Sequence, residues 1–248
     1  MRFIIATLFL LCTLSLKAQP VMVAVSANMK DAFTEIAAAY KVSNQSDFRV
    51  VYGSSGNFTA QIMNGAPFKF FIAADEHFPL ELYKNGKTVD EGRVYAIGKL
   101  ALISKKSFGP MPVQSKLELA NAIGKANKIA IAKPELAPYG KASVEYLKSV
   151  GLWELAKDKL IYGDNIGVAT MYVVSGAADM GFTALSLATS PDVTRETVYT
   201  LIDSKQYEPI KQRMILIKGA PKEAVDLYQF MQGPQAKAVL QKFGYTTP

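Results

Sequence analysis

Strand-like and helix-like stretches take turns along almost the whole chain, and that alternation limits the fold more than any other feature. VMVAVSA (21–27) reads as a strand. MKDAFTEIAAAY (29–40) follows, with Met29, Phe33, Ile36 and Tyr40 at helical spacing. FRVVYG (48–53) is the next strand and NFTAQIMN (57–64) the next helix, stopped by Gly65. FKFFIAAD (68–75) is a nearly continuous apolar strand, the kind found in parallel sheets covered on both faces. HFPLELYKNG (77–86) is a short helix, and the β-rich run RVYAIGKLALISKK (93–106) is long enough to pass between two bodies. The alternation then resumes. KIAIAKP (128–134), KLIYG (159–163) and DMGFTAL (179–185) read as strands, with helices KASVEYLKSVG (141–151) and GVATMYVVSGA (167–177) between them. RMILIKG (213–219) returns as a strand, and two helices split by Gly233-Pro234 close the chain. The pattern predicts an α/β fold with mostly parallel sheets. A length of 248 residues suffices for one large domain or two lobes with real cores.

The N-terminus breaks the pattern. Met1-Arg2, the apolar run FIIATLFLLCTLSL and Lys17-Ala18 read as a secretory signal peptide over residues 1–18. The run is too short to span a bilayer, which takes ~20 residues. The single cysteine, Cys12, lies inside it, so the exported chain has neither disulfide nor thiol chemistry, which suits an oxidising compartment. Loss of Arg2 and Lys17 lowers the formal charge from +7 to +5, a mild field that attracts anions. The positive residues are scattered, so no nucleic-acid surface is expected.

Four junctions share one character. Ser26-Ala27-Asn28 precedes the first helix, Gly53-Ser54-Ser55-Gly56 the second, Ala137-Pro138-Tyr139-Gly140 the helix at Lys141, and Asn165-Ile166-Gly167 the helix containing Met171. Each lies where a strand hands over to a helix, the edge at which open α/β sheets bind ligands. Helix starts expose unpaired N–H groups and the positive end of the dipole, and small residues let an oxygen approach. Junctions of this kind, where they converge, make an oxyanion pocket that needs no lysine or arginine. Each turn taken alone reads first as an ordinary helix cap or glycine turn, and it is the recurrence of four that points to a ligand.

YGSSGNFTAQIMNGAPFKFFIAADE (52–76), YAIGKLAL (95–102), AKPELAPYGKAS (132–143), SGAADMGFTAL (175–185), YEPIKQRMIL (207–216) and GPQAKAVLQKFGY (233–245) together resemble the periplasmic molybdate-binding (ModA) family of molybdate importers, over nearly the whole exported chain. The resemblance implies a two-lobed periplasmic (type II) solute-binding protein with the ligand cleft between lobes. Residues 19–100 and 207–248 would form lobe one and residues 101–206 lobe two. It implies capture of molybdate or tungstate, with Asn28, Ser55, Tyr139 and Ile166 as donors and Ala27 where some members carry a hydroxyl. Tyr139 would make good a ligand-contacting tyrosine that some members place at the position of Ala184. A membrane permease and an ATPase of an ABC importer are the implied partners, with the receptor exported, monomeric and free of cofactor. Molybdenum would be held as an oxyanion by the same residues, with no bare metal cation bound.

A fully deprotonated oxyanion only accepts hydrogen bonds, so a donor-only pocket suits it and penalises hydrogen phosphate, whose P–OH needs an acceptor. Asp31 and Asp164 lie near two of the loops and read first as helix and turn stabilisers, with a role as acceptors the alternative. Lys30 and Lys141 read first as solvated surface lysines, with steering of the ligand the alternative. Sulfate is the competing ligand. An enzyme is the rival class, but His77 is the only histidine, no G-x-S-x-G elbow is present, and Asp75-Glu76 has no partner cluster for catalysis or metal.

Overall fold

The computed structural model describes residues 20–44 and 48–248. The signal segment 1–18 and Cys12 therefore lie outside the described residues.

The elements run in chain order as β1 (Val21–Ser26), α1 (Lys30–Ser43), β2 (Phe48–Gly53), α2 (Ser55–Met63), β3 (Phe68–Ile72), α3 (His77–Lys84), β4 (Arg93–Gly98), β5 (Leu100–Lys105), α4 (Lys116–Lys125), β6 (Ile129–Ala132) and α5 (Pro138–Ser149). They continue as α6 (Trp153–Ala156), β7 (Leu160–Gly163), α7 (Ile166–Val174), β8 (Met180–Ala184), α8 (Leu185–Ala188), α9 (Pro191–Thr194), β9 (Thr197–Leu201), β10 (Ile210–Leu216), α10 (Lys222–Phe230) and α11 (Pro234–Lys242).

Two five-stranded sheets result, ordered β2-β1-β3-β10-β4 and β7-β6-β8-β5-β9. The two orders are the same pattern. In each, three strands pair in parallel, and the fourth runs antiparallel to both of its neighbours. The expectation of mostly parallel sheets is thereby refined. Four strands of each sheet share a direction, but β10 and β5 oppose them, so the sheets are mixed in pairing. The reason is connectivity. The predicted run 93–106 is two strands: β4 ends the first sheet and, across Lys99, β5 enters the second as its reversed strand. The return is the mirror case, from edge strand β9 into reversed strand β10. Tyr207 ties the two crossings, its hydroxyl accepting from the Leu100 N–H at 3.0 Å.

Local physics accounts for the elements. On α1 the buried Phe33, Ile36 and Tyr40 recur every three or four residues and face the first sheet. On β1, Val23 and Val25 join the core on one face, with Phe70 and Ile72 of β3, and Ala24 joins the other, with Phe71. The second sheet carries its own core around Leu102, Ile131, Tyr146 and Phe182. Helix α4 and strand β9 were not foreseen. In α4 only Leu119 and Ile123 are buried, and of β9 only Thr197 is buried, with Tyr199 and Leu201 exposed.

Candidate functional site

The carboxyl ends of the strands from both sheets meet at one small pocket. Ser26, Ala27 and Asn28 reach it from the end of β1, Ser54 and Ser55 from the β2–α2 turn, and Ala74 from beyond β3. Ala137, Pro138 and Tyr139 close it from the start of α5, and Asn165 and Ile166 from the start of α7. All five residues singled out from the sequence, Ala27, Asn28, Ser55, Tyr139 and Ile166, line it. Its cavity volume is about 10 Å³, roughly the room of one water-sized sphere and far below the ~300–1,000 Å³ of sites for drug-sized ligands.

The helix starts leave amides open. In α5, Pro138 has no N–H, and those of Gly140 and Lys141 bond the Ala137 carbonyl, which leaves the Tyr139 N–H without a partner among the described residues. In α7 the Asn165 side chain caps the Val168 N–H at 3.1 Å and its carbonyl takes that of Ala169, leaving those of Ile166 and Gly167. Gly56 donates across to the Leu136 carbonyl at 2.9 Å, a direct bond between the two sheets' units. A Cβ at Gly56 would lie 3.0 Å from the Leu136 Cα, so this approach needs glycine.

Side chains supply the rest. Ser55, 1 % exposed, sets its hydroxyl 2.8 Å from that of Ser26 and accepts from the Ala74 N–H at 2.9 Å. The Ser26 hydroxyl thus stands beside the position where Ala27 brings none. Ser54 Oγ and Asn28 Oδ1 are buried without a partner, a state that costs about 1–3 kcal/mol per group unless something fills it.

Two expected donors behave otherwise than the sequence suggests. Asn28 Nδ2 spends both hydrogens elsewhere, on Gln212 Oε1 at 2.9 Å and on the Tyr245 hydroxyl at 2.8 Å. The phenol of Tyr139 accepts from Gln212 Nε2 at 3.0 Å, at the crossing beside Gly98. Tyr139 therefore meets the pocket through its open backbone amide. Burial pushes the phenols of Tyr95, Tyr139 and Tyr245 well up, so all three stay neutral.

Formal charge stays out of the pocket: no charged residue lines it among the described residues. Asp31 and Lys30 lie in a groove to one side, where burial raises the Asp31 carboxyl. Asp164 pairs with Lys133 at 2.6 Å, and Lys141 lies 3.5 Å from Glu145. Asp75 faces the opposite groove with His77 and Lys141, and burial lifts its carboxyl to about 7. His77 is exposed and lies 3.9 Å from Glu81. Among the described residues no three His, Cys, Asp or Glu are grouped to hold a metal ion.

Ser26, Ser54, Ala74, Gln212 and Tyr245 were not among the residues picked from the sequence. Ser26 and Ser54 lie inside the quoted junctions and were legible there. Gln212 and Tyr245 are distant in sequence and carried no signal.

Residues 21–246 match the model of a family described as bacterial extracellular solute-binding protein. The chain is 37% identical to the molybdate-binding protein ModA of Azotobacter vinelandii, over 92% of this chain and 90% of that one. It is 33% identical to the molybdate-binding protein ModA of Rhodobacter capsulatus, over 93% and 89%. Its fold matches the solved periplasmic molybdate-binding protein of Azotobacter vinelandii with a TM-score of 0.83 at 30% identity, covering 92% of this chain and 99% of that one.

Proposed function

The chain belongs to the molybdate-binding (ModA) family of bacterial extracellular solute-binding proteins, and on that premise we propose that it is an exported receptor that captures molybdate or tungstate. The observation that carries this reading is the meeting of four strand-to-helix junctions, two from each sheet, at one small uncharged pocket. Every open backbone amide there is a donor, and each helix start adds the positive end of its dipole.

In this reading the lobes are residues 19–100 with 207–248 and residues 101–206, which follow the two sheets except that Leu100 already lies in β5 of the second, and the anion sits between them. Asn28, Ser55, Tyr139 and Ile166 provide its donors, and Ala27 keeps the wall close to it. Serine hydroxyls and amides stabilise the dianion through charge-assisted hydrogen bonds without cancelling its charge. The anion draws the lobes together by bonding to both, the hinge-type closure of binding proteins. The receptor works in the periplasm after loss of residues 1–18, as a monomer, and delivers its cargo to an ABC permease and ATPase. It performs no catalysis and carries no cofactor.

Titration calorimetry of residues 19–248 with molybdate, tungstate, sulfate and phosphate tests the reading. Tight one-to-one binding of the first two, with the last two much weaker, is the expected result. Preference for sulfate, or no binding at all, overturns it.

A further inference from the structure

Behind the pocket runs a buried chain of uncharged polar side chains that anion binding alone does not require. Gln212 is its centre. It is fully buried on β10, where the pairing with β4 slips between Gln212 and Arg213. Its Oε1 accepts from Asn28 Nδ2 at 2.9 Å and from the Tyr95 hydroxyl at 2.8 Å, and its Nε2 donates to the Tyr139 hydroxyl at 3.0 Å. One carboxamide on the return strand thus holds a pocket residue from each unit. Space is kept for it: a Cβ at Gly98 would lie 2.1 Å from the Tyr139 Oη and 2.5 Å from Gln212 Nε2.

A carboxamide has one accepting end and one donating end, so Asn28 and Gln212 cannot be oriented independently. In the arrangement described, Asn28 gives both hydrogens to Gln212 and Tyr245 and leaves Oδ1 buried and unpartnered. Exchanging O and N in both amides keeps every heavy atom in place. Gln212 Nε2 then donates to Asn28 Oδ1, Gln212 Oε1 accepts from Tyr139, and Tyr245 turns its one hydrogen from the Asn28 carbonyl, which keeps the Ser186 hydroxyl as donor, to Asn28 Oδ1. The Tyr95 hydroxyl still has the Ala73 carbonyl at 3.0 Å. Asn28 Nδ2 now occupies the unpartnered position with its hydrogens free, and an oxyanion selects that polarity because it only accepts.

We propose that Gln212 is a positioning residue for anion capture: it sets the orientation of the Asn28 amide and passes it to Tyr139, so filling the pocket and joining the two units are one event. This rests on the capture reading above.

The test combines sodium molybdate titrations with nitrogen-15 spectra of the side-chain amides. Gln212→Leu weakens binding about ten- to a hundredfold although Gln212 does not line the pocket, with the change in the dissociation rate. The double variant Asn28→Ala/Gln212→Leu binds no more weakly than the worse single variant. In the wild-type protein, which needs no substitution to fold, the Asn28 and Gln212 side-chain amide signals shift together as molybdate is added. Binding by Gln212→Leu within threefold of wild type, additive losses, or an Asn28 shift without Gln212 overturns the proposal alone. Failure of the wild-type protein to bind molybdate overturns the capture reading and this proposal with it.

Discussion

The two halves of the pocket are made of different material. The half from the first sheet presents side chains: the hydroxyls of Ser26, Ser54 and Ser55 and the amide of Asn28, all nearly fully buried. The half from the second sheet presents backbone: the open amides of Tyr139 and Ile166, among the apolar side chains of Ala137, Pro138 and Ile166. A wall of side chains can be altered atom by atom. A wall of amides depends on where two helices begin and is nearly indifferent to which side chains they carry. What it does depend on is close backbone packing, since a Cβ at Gly140 would lie 2.1 Å from the Ala132 carbonyl oxygen.

That contrast can be broken most severely at Gly140. Gly140→Ala forces the start of α5 away from β6 and lowers stability by about 3 kcal/mol, with loss of molybdate binding; chemical denaturation and calorimetry read both. On the other wall, Ser55→Ala removes one hydroxyl and weakens binding by about 1.5–3 kcal/mol, and it also lowers stability by about 1–2 kcal/mol because the Ala74 N–H loses its buried acceptor. A Ser55→Ala protein with wild-type affinity would show that the side-chain wall does not hold the anion.

Asp75 sharpens the contrast from the groove that both halves share, opposite Lys141. Its carboxyl is raised by burial from 3.8 to about 7, so between those values the folded chain binds more protons than the unfolded one. Stability therefore falls as pH rises through this window and stays lowest above about 7. Asp75→Asn removes that slope and raises stability at pH 8 by on the order of 1–2 kcal/mol, measured by denaturant unfolding at pH 5 and pH 8. The smallest effect belongs to Ile166→Val, which trims core packing by about 1 kcal/mol and leaves molybdate affinity unchanged, because the backbone amide is what faces the pocket. A clear drop in affinity would mean that the side chain, too, belongs to the site.

The same difference in material decided what could be read from the sequence. Strand-to-helix turns are local, so the junctions that hold Ser55, Tyr139 and Ile166 stood out, with the family resemblance singling out those residues within them, and the hydrophobic periods of α1 and β3 pointed to their elements directly. The pairing of β5 and β10 was not legible, because direction within a sheet is set by where the chain crosses. The orientation of Asn28 and the phenol of Tyr139 were hidden for a similar reason. Both are governed by Gln212, which lies 184 residues from the first and 73 from the second, and no short-range pattern carries that information.

The chain crosses between its units twice, at Lys99 and over residues 202–209, with Tyr207 fastened to Leu100. Two straps side by side act like the pair of pins on a door. In the proposed closure they would resist twisting and sliding and leave a single swing, so that any point on one unit would travel along a fixed arc relative to the other. A pair of dyes on the exposed positions Val42 and Leu117, one on each unit and both remote from the pocket, would turn the arrival of a four-oxygen ion into a change in emitted light.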